Sequence, residues 1–332
     1  MKKVLLYIFI LFLSISTVFA GSDIIVGVHI YRFDDTFMAG VRDIIKSNAD
    51  GLGDCKIIVT DGKGSQPTQN DLIINSVKNG AKAQAINIVD VTAAPIVLQK
   101  LQKLGVPAVF FNREPDSADM PDEGWFYVGA MAEESGRLCG GMIADYFEKN
   151  PTSDLNRDGI IQYVLLMGER GHQDTIYRSE YSVRALQERG YRMELVAAET
   201  ANWQRVQAQE KMSSWLNSYS NIEAVICNND DMALGAIDAL KAAGYFTEGR
   251  YIPVVGVDAT APAIEALKEG TLLGTVLNDA KNIGKATFQL SCLLAKGEEI
   301  NQNNFDYTIS NGRYVWIPYK KVTKDNYMDF ER

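Results

Sequence analysis

Side-chain oxygens recur at every second position in one short stretch of the chain, which ends at Gly159. The side chains that carry these oxygens are Asp154, Asn156 and Asp158, followed later by Gln162. EF-hand loops present oxygens to Ca²⁺ in this rhythm, and glycine makes their sharp turn. An EF-hand needs glutamate at its twelfth position, where this chain has Leu165. A calcium site would therefore need a carboxylate from elsewhere, and the alternative is a solvated polar turn.

Polar residues also follow the ends of six apolar runs that have the pattern of β-strands. These residues include Asp35, Asn112, His172, Asn229, Asp258 and Asn278. In open α/β sheets, ligands bind beyond the carboxyl ends of the strands. Asn and Asp also cap the helices that follow such strands, and capping is the expected role of Asp230 and Asp279. Taken together, the strand ends predict a cleft lined by hydrogen-bond donors and acceptors.

Two aromatic residues, Phe37 and Trp203, are available as flat apolar walls for this cleft. Sugar hydroxyls both donate and accept hydrogen bonds, and the C–H faces of a pyranose pack on aromatic rings. A phosphate ligand would favour a glycine-rich loop or a cluster of Lys and Arg, and the sequence offers neither. The pattern therefore favours a neutral polyol as ligand.

The elements that position these residues alternate between short β-branched runs and amphipathic helical stretches. The predicted strands are Ile24–Ile30, Lys56–Thr60, Ala83–Val89, Ala108–Phe111, Phe126–Val128, Ile160–Met167, Glu194–Ala198, Ala224–Cys227, Val254–Val257 and Leu272–Leu277. Such alternation predicts an α/β fold with parallel sheets, and its length indicates two doubly wound lobes. The stretch Asp306–Val322 also has strand character, as if the chain crosses between the lobes late.

The first 20 residues have the pattern of a signal peptide. Two lysines precede an apolar run, and Val18-Phe19-Ala20 ends in residues suited to signal peptidase. The run is too short for a stable membrane span. We therefore predict an exported protein that starts near Gly21 and resides in the periplasm.

Without those two lysines the formal charge changes from 33 − 42 = −9 to 31 − 42 = −11. A chain this acidic, without a basic cluster, is a poor nucleic-acid binder. The four cysteines are scattered, and apolar surroundings favour buried thiols over disulfides for most of them. Two histidines without grouped cysteines do not supply the ligand pattern of a zinc site.

Several segments together resemble the periplasmic D-galactose/D-glucose-binding proteins of bacterial ABC sugar importers, which have the periplasmic binding protein type I fold. The segments are IYRFDDTFM, AINIVD, VFFNREP, DLNRDGIIQYVLLMGERGH, TANW, VICNNDDMALGA, VVGVDA and GTVLNDA. The resemblance covers essentially the whole chain after the signal peptide. It implies that residues 21–129 plus 279–316 form one lobe and residues 130–278 plus 317–332 the other, joined by crossover hinges.

The resemblance also implies a set of sugar contacts. They are Asp35, Phe37, Asn112, His172, Asp174, Arg178, Trp203, Asn229, Asp258 and Asn278. In the family, the residue matching Asp35 accepts hydrogen bonds near the sugar's 4-hydroxyl, and those matching Phe37 and Trp203 sandwich the ring. The structural calcium ion of the family would be bound by Asp154, Asn156, Asp158, Ile160, Gln162 and Glu223. Ile160 would contribute its backbone carbonyl, and Glu223 would be the distant carboxylate.

The resemblance thus predicts a monomeric binding protein that delivers hexose to an ABC permease and presents it to a chemoreceptor. An enzyme using His172 with an aspartate is the alternative from another class, but the sequence shows no evident nucleophile. A sugar-responsive repressor would lack the signal peptide and carry a DNA-binding helix-turn-helix. Binding of another monosaccharide, such as ribose or xylose, is the closest alternative.

Overall fold

The computed structural model describes residues 24–53, 55–247 and 249–330, so the predicted signal peptide lies outside the described residues. In the first half of the chain the elements are β1 (Ile25–Ile30), α1 (Thr36–Leu52), β2 (Lys56–Asp61), α2 (Gln66–Lys78), β3 (Ala81–Ile86), α3 (Ala94–Lys103), β4 (Ala108–Phe111) and β5 (Trp125–Gly129). Next come α4 (Ala132–Lys149), β6 (Ile160–Met167), α5 (Gln173–Glu188), β7 (Arg192–Thr200), α6 (Arg205–Ser218) and β8 (Ala224–Cys227). The remainder are α7 (Asp230–Ala242), β9 (Val254–Val255), α8 (Ala261–Glu269), β10 (Gly274–Leu277), α9 (Ala280–Lys296), β11 (Tyr314–Trp316) and β12 (Lys320–Thr323).

The strands form two six-stranded sheets. The first has the order β11-β5-β4-β3-β1-β2, and the second has the order β12-β10-β9-β8-β6-β7. All pairs are parallel except β10 with β12, which is antiparallel. The predicted architecture of two parallel-sheet α/β lobes is confirmed, and the second lobe carries one antiparallel edge strand.

The chain passes between the sheets at three connections, which follow β5, β10 and β11. Helix α9 packs on α1, β3 and β4, so the chain has returned to the first lobe there. The late crossing leads from β11 to β12 through Pro318, which lacks a backbone N–H and interrupts strand pairing. The expectation of one strand-like stretch over Asp306–Val322 was therefore too broad, because only the two short strands pair.

The central strands of each sheet are buried on both faces, as expected for parallel strands between helices. All four residues of β4 are buried, and so are all four of β8. The helices approach closely where glycine replaces a side chain: a Cβ on Gly140 of α4 would lie 2.1 Å from the carbonyl oxygen of Ser182 on α5. The four cysteines are buried as thiols, as expected. Within the described ranges, we find no helix with the length and apolar character needed to span a membrane.

Candidate ligand-binding site

The carboxyl ends of strands from both sheets meet at one cavity between the lobes. The residues that line it are Tyr31, Asp35, Phe37, Met38, Asn112, Arg113, His172, Asp174, Arg178, Trp203, Asn229, Asp258 and Asn278. About 340 Å³ of space that no atom fills lies among them, part of it open to solvent. All ten residues predicted as sugar contacts lie in this cavity.

Asp35 lies between β1 and α1 and has two structural partners. Its Oδ1 accepts a hydrogen bond from the backbone N–H of Met38 at 2.8 Å, which caps the N-terminus of α1. Its Oδ2 accepts a hydrogen bond from the hydroxyl of Tyr31 at 2.6 Å. These two bonds hold the carboxylate in one orientation, with further acceptor capacity on the side that faces the cavity.

Asn112 follows β4 with a φ of 62°, in the left-handed region that Asn tolerates better than most residues. Its side-chain oxygen accepts a hydrogen bond from Nδ2 of buried Asn87 at 3.1 Å. Its backbone carbonyl accepts hydrogen bonds from the Tyr127 hydroxyl and from Nε2 of Gln173, each at 3.0 Å. The amide group of Asn112 is therefore fixed at the cavity wall and can donate to a ligand.

Asp174 and Arg178 form a buried ion pair one turn apart on α5, with Oδ2 and Nη2 2.6 Å apart. Arg178 also donates to the carbonyl of Asn228 at 2.8 Å and to the hydroxyl of Tyr319 at 3.0 Å. Burial raises the pKa of Asp174, and the positive charge of Arg178 opposes that shift. The pair presents a donor and an acceptor side by side without net charge.

His172 caps the N-terminus of α5, because its Nδ1 accepts a hydrogen bond from the backbone N–H of Asp174 at 3.1 Å. Burial, followed by the positive charges of Arg113 and Arg178, lowers the pKa of His172 well below its usual value. The ring is therefore neutral, and its proton lies on Nε2. His172 can donate one hydrogen bond from Nε2 to a neutral ligand.

Trp203 lies in a tight turn between β7 and α6, where Asn202 and Trp203 have φ values of 52° and 64°. Its ring packs edge-on to His172, with the ring centres 5.1 Å apart. The ring also fills the space where Gly168 lacks a side chain, since a Cβ there would lie 2.1 Å from the indole. Trp203 lines the cavity from the second lobe and Phe37 from the first.

Asn229, Asp258 and Asn278 complete the second-lobe wall. Asn229 caps α7 through a bond from the backbone N–H of Met232 at 3.0 Å. Asp258 has a φ of 120°, a strained value for a residue with a side chain. Asn278 donates to Oδ1 of Asp258 at 3.3 Å, while its own buried Oδ1 has no hydrogen-bond partner. A ligand hydroxyl would satisfy that acceptor.

The expectation that Asp230 caps a helix was wrong, whereas Asp279 does cap α9 through the N–H of Asn282. Asp230 is fully buried beneath the site, where it accepts from the Thr275 hydroxyl at 2.6 Å and from the N–H of Thr260 at 2.8 Å. Burial raises its pKa to about 7. The cap of α7 belongs to its neighbour Asn229, and Asp230 instead ties together the loops that carry the site.

The lobes touch each other beside the cavity. Gln173 of the second lobe donates to the carbonyl of Asn112, and Thr36 of the first donates to Oδ2 of Asp231 at 2.6 Å. Arg113 and Glu169 form an ion pair of 2.8 Å between the lobes. The structure is therefore closed around the cavity.

Three lining residues escaped the sequence-based prediction: Tyr31, Met38 and Arg113. Tyr31 directly follows β1, and Arg113 is the second residue after β4. Their position at the strand ends was a usable signal. Met38 lies inside α1 and reads as an ordinary core residue, so the sequence carried no signal for it.

The predicted calcium loop runs from Asp154 to Gln162, and Glu223 lies against it. The two carboxylate oxygens of Glu223 accept from the backbone N–H groups of Leu155 and Gln162. Oδ2 of Asp158 accepts from the side-chain amides of Asn156 and Gln162, each at 2.9 Å. Oδ1 of Asp154 is buried without a hydrogen-bond partner. This orphaned oxygen within a set of oxygen donors fits a hard cation.

The carboxylates alone do not make a metal centre. Among the described residues, no three side chains of His, Cys, Asp or Glu are grouped so that they could hold a metal ion. An ion in the loop would therefore need the amide oxygens of Asn156 and Gln162 and the Ile160 carbonyl as well. The side-chain amides now donate to Asp158, so they would have to turn their oxygens towards the ion.

Two α/β lobes that close around a polar and aromatic cavity define a class of proteins that capture small solutes. Residues 26–299 match the family described as "Periplasmic binding protein domain". The chain is 41% identical over 320 residues to the D-galactose/methyl-galactoside binding periplasmic protein MglB of Haemophilus influenzae, covering 96% of this chain and 94% of that protein.

More distant relatives are described as binding other polyols. The chain is 25% identical to the ribose import binding protein RbsB of Salmonella typhimurium, covering 82% of this chain and 84% of that protein. An ABC transporter solute binding protein of Bacillus halodurans C-125, solved with bound myo-inositol, superposes with a TM-score of 0.80. It is 30% identical and covers 93% of this chain and 97% of its own.

The chain belongs to the periplasmic binding protein family. The resemblance to periplasmic sugar-binding proteins that the sequence segments indicated is therefore confirmed. The family consists of binding proteins, so the prediction of a binding protein rather than an enzyme is confirmed as well.

Proposed function

We propose that this protein binds D-galactose and D-glucose in the cavity between its lobes and delivers them to an ABC importer. The observation that carries the proposal is the composition of the cavity wall. It combines two aromatic rings with amide and imidazole donors, carboxylate and amide acceptors, and the ion pair of Asp174 with Arg178. The 41% identity to a galactoside-binding relative supports a hexose over a pentose.

Ten of the thirteen lining residues have a direct role in this proposal. Asp35, Asp174, Asp258 and the orphaned Oδ1 of Asn278 accept from sugar hydroxyls. His172, Arg178, Asn112 and Asn229 donate to sugar oxygens. Phe37 and Trp203 pack against the C–H faces of the ring. Because sugar hydroxyls donate and accept at once, such a wall leaves few buried groups unpaired.

The proposal is tested by isothermal titration of the purified mature chain with D-galactose, D-glucose, D-ribose, D-xylose and myo-inositol. We expect one-to-one binding, tightest for the two hexoses. If a pentose or inositol gives binding heat and neither hexose does, the ligand is that pentose or inositol and the proposed hexose specificity is wrong. Chromatography of each sugar after incubation tests the enzyme alternative, since a binding protein returns the sugar unchanged.

We propose that the closed form is what the importer's permease, and a chemoreceptor, recognise. Residues of both lobes surround the cavity, so a bound sugar favours closure by its contacts with both. Small-angle scattering tests the first step: the radius of gyration should fall when saturating sugar is added. A constant radius would contradict closure.

We further propose that the loop from Asp154 to Gln162, with Glu223, holds one structural Ca²⁺. The buried, unpartnered Oδ1 of Asp154 and the oxygen-only donor set support it. The loop lies at the start of β6 and Glu223 just before β8, whereas the cavity lies at the opposite ends of these strands. The ion would therefore stabilise the second lobe without contacting the sugar.

A further inference from the structure

An ion pair crosses between the lobes beside the cavity. Nη2 of Arg113, which follows β4 of the first lobe, lies 2.8 Å from Oε2 of Glu169, which follows β6 of the second. The side chain of Arg113 is 4% exposed and that of Glu169 is 27% exposed. Water and salt therefore screen this pair less than a surface pair. Because its partners belong to different lobes, the contact exists only while the lobes are closed.

Arg113 is held firmly on its own lobe. Its Nη1 donates to the carbonyl of Val89 at 2.9 Å. Its guanidinium lies 3.7 Å from the centre of the Tyr31 ring, a cation–π contact that desolvation strengthens. Its Nε is buried without a hydrogen-bond partner. The side chain thus lines the cavity with its charge already directed by Tyr31 and Val89.

Tyr31 connects this cation to the sugar site. Its ring packs against the guanidinium of Arg113, and its hydroxyl donates to Oδ2 of Asp35 at 2.6 Å. Contacts therefore run without a gap from Glu169 through Arg113 and Tyr31 to Asp35. We call these four residues the closure chain.

We propose that the closure chain makes Arg113 a positioning residue that couples the orientation of Asp35 to closure of the lobes. The proposal rests on the proposed sugar-binding function. A ligand that bonds to Asp35 favours the rotamer held by Tyr31, and Tyr31 in turn holds the guanidinium where Glu169 meets it on closing. A contact present in the closed state and absent in the open state increases ligand affinity, because it shifts the population towards closure.

The first test removes the charge from the far end of the closure chain. Glu169 does not line the cavity, so Glu169→Gln alters the closure chain and no ligand contact. We expect the Kd for D-galactose to rise about tenfold, the usual effect of losing one charge-assisted hydrogen bond. The dissociation rate should rise accordingly. The unfolding midpoint of the sugar-free protein should stay unchanged, because an open protein lacks the contact.

The matched control is Glu188→Gln, which removes the charge of a glutamate paired with Arg137 at 2.6 Å and with Arg184 at 3.0 Å within the second lobe. It should leave the Kd unchanged. A wild-type Kd for Glu169→Gln overturns the proposal. So does an equal loss of stability in the sugar-free protein, because that outcome indicates a merely structural ion pair.

The second test is a double-mutant cycle between Tyr31→Phe and Glu169→Gln, which lie at the two sides of Arg113. Phe keeps the ring under the guanidinium and removes the hydroxyl that holds Asp35. If the closure chain transmits orientation, the combined loss of affinity is smaller than the product of the two single losses. Independent, multiplicative losses overturn the coupling. If the wild type binds none of the sugars, the proposed function falls and this proposal falls with it.

Discussion

Replacement of Asp35 separates two tasks that one carboxylate performs. Its Oδ1 caps α1 by accepting from Met38, and its Oδ2 is held by Tyr31 at the cavity. Asp35→Asn keeps an oxygen for the cap but removes the negative charge and one acceptor. Asp35→Ala removes the cap as well. The two variants should therefore differ in stability and share a loss of sugar affinity.

The magnitudes follow from the two kinds of bond. Asn and Asp are nearly equal as N-caps, whereas alanine at an N-cap lowers the free energy of unfolding by about 1 kcal/mol. A hydrogen bond between a sugar hydroxyl and a carboxylate in a closed cavity is worth about 1.5–3 kcal/mol. Its loss raises Kd by roughly 10- to 150-fold. Asp35→Ala also leaves ligand hydroxyls unpaired, so its loss reaches about 2–4 kcal/mol.

The assay combines isothermal titration with D-galactose and D-glucose and urea unfolding of the sugar-free protein. The control is Asp34→Asn, which makes the same charge change at the neighbouring residue, whose side chain is 79% exposed and paired with Arg32. It should bind as the wild type does. If Asp35→Asn also binds both hexoses with the wild-type Kd, the carboxylate makes no bond to the ligand and the assignment of the site is wrong.

Three further predictions address the aromatic wall, the calcium loop and a buried histidine. Gly168→Ala places a Cβ 2.1 Å from the Trp203 indole, so the ring must shift. We expect the free energy of unfolding to fall by about 1–3 kcal/mol, and isothermal titration to show at least tenfold weaker sugar binding. Unchanged affinity would contradict the placement of Trp203. Chelator should lower the melting midpoint of the wild-type protein, because calcium at a hundred- to a thousandfold excess over its Kd stabilises the folded state by about 3–4 kcal/mol. Glu223→Gln should lose this response while its sugar affinity stays nearly intact. If chelator leaves the wild-type midpoint unchanged, the loop is only a solvated turn. Burial lowers the pKa of His29 to about 4, whereas the unfolded chain binds this proton near its ordinary pKa of about 6.5. The free energy of unfolding should therefore decline as the pH falls from about 6.5 to 4, by about 1.4 kcal/mol per pH unit. Urea unfolding of His29→Gln should show a shallower decline with pH. An equal decline in the variant and the wild type would contradict this role of His29.

The local sequence pattern predicted much of the candidate site because its residues lie at the ends of strands. Asn112, Asp258 and Asn278 directly follow apolar runs that the sequence marks clearly. Parallel strands with helical crossovers bring all their carboxyl ends to one edge. The strand-end residues of the cavity could therefore be named from the pattern, whereas Asp174 and Arg178 were named only through the family resemblance.

Other features depend on contacts between segments far apart in the chain, and the pattern failed there. Asp230 has the type and position of a helix cap, but its neighbour Asn229 takes that role, and Asp230 bonds to Thr260 and Thr275 instead. The position of Arg113 after β4 indicated the cavity, but its ion pair with Glu169 across the cleft could not be predicted from the sequence. The stretch Asp306–Val322 was predicted to have strand character, yet the strands there are only Tyr314–Trp316 and Lys320–Thr323, because only these segments have a partner strand.

The sequence by itself determined the order of strands and helices, the two-lobe α/β class and the types of residue at the strand ends, because hydrophobic periodicity and strand termini are local properties. The tertiary structure decided which of those residues share a cavity, which carboxylate is buried and where the lobes touch. The pKa of His172, for example, depends on burial and on Arg113 and Arg178. Burial and the distance between charges are set by segments that are remote in sequence, so only the folded chain brings them into effect.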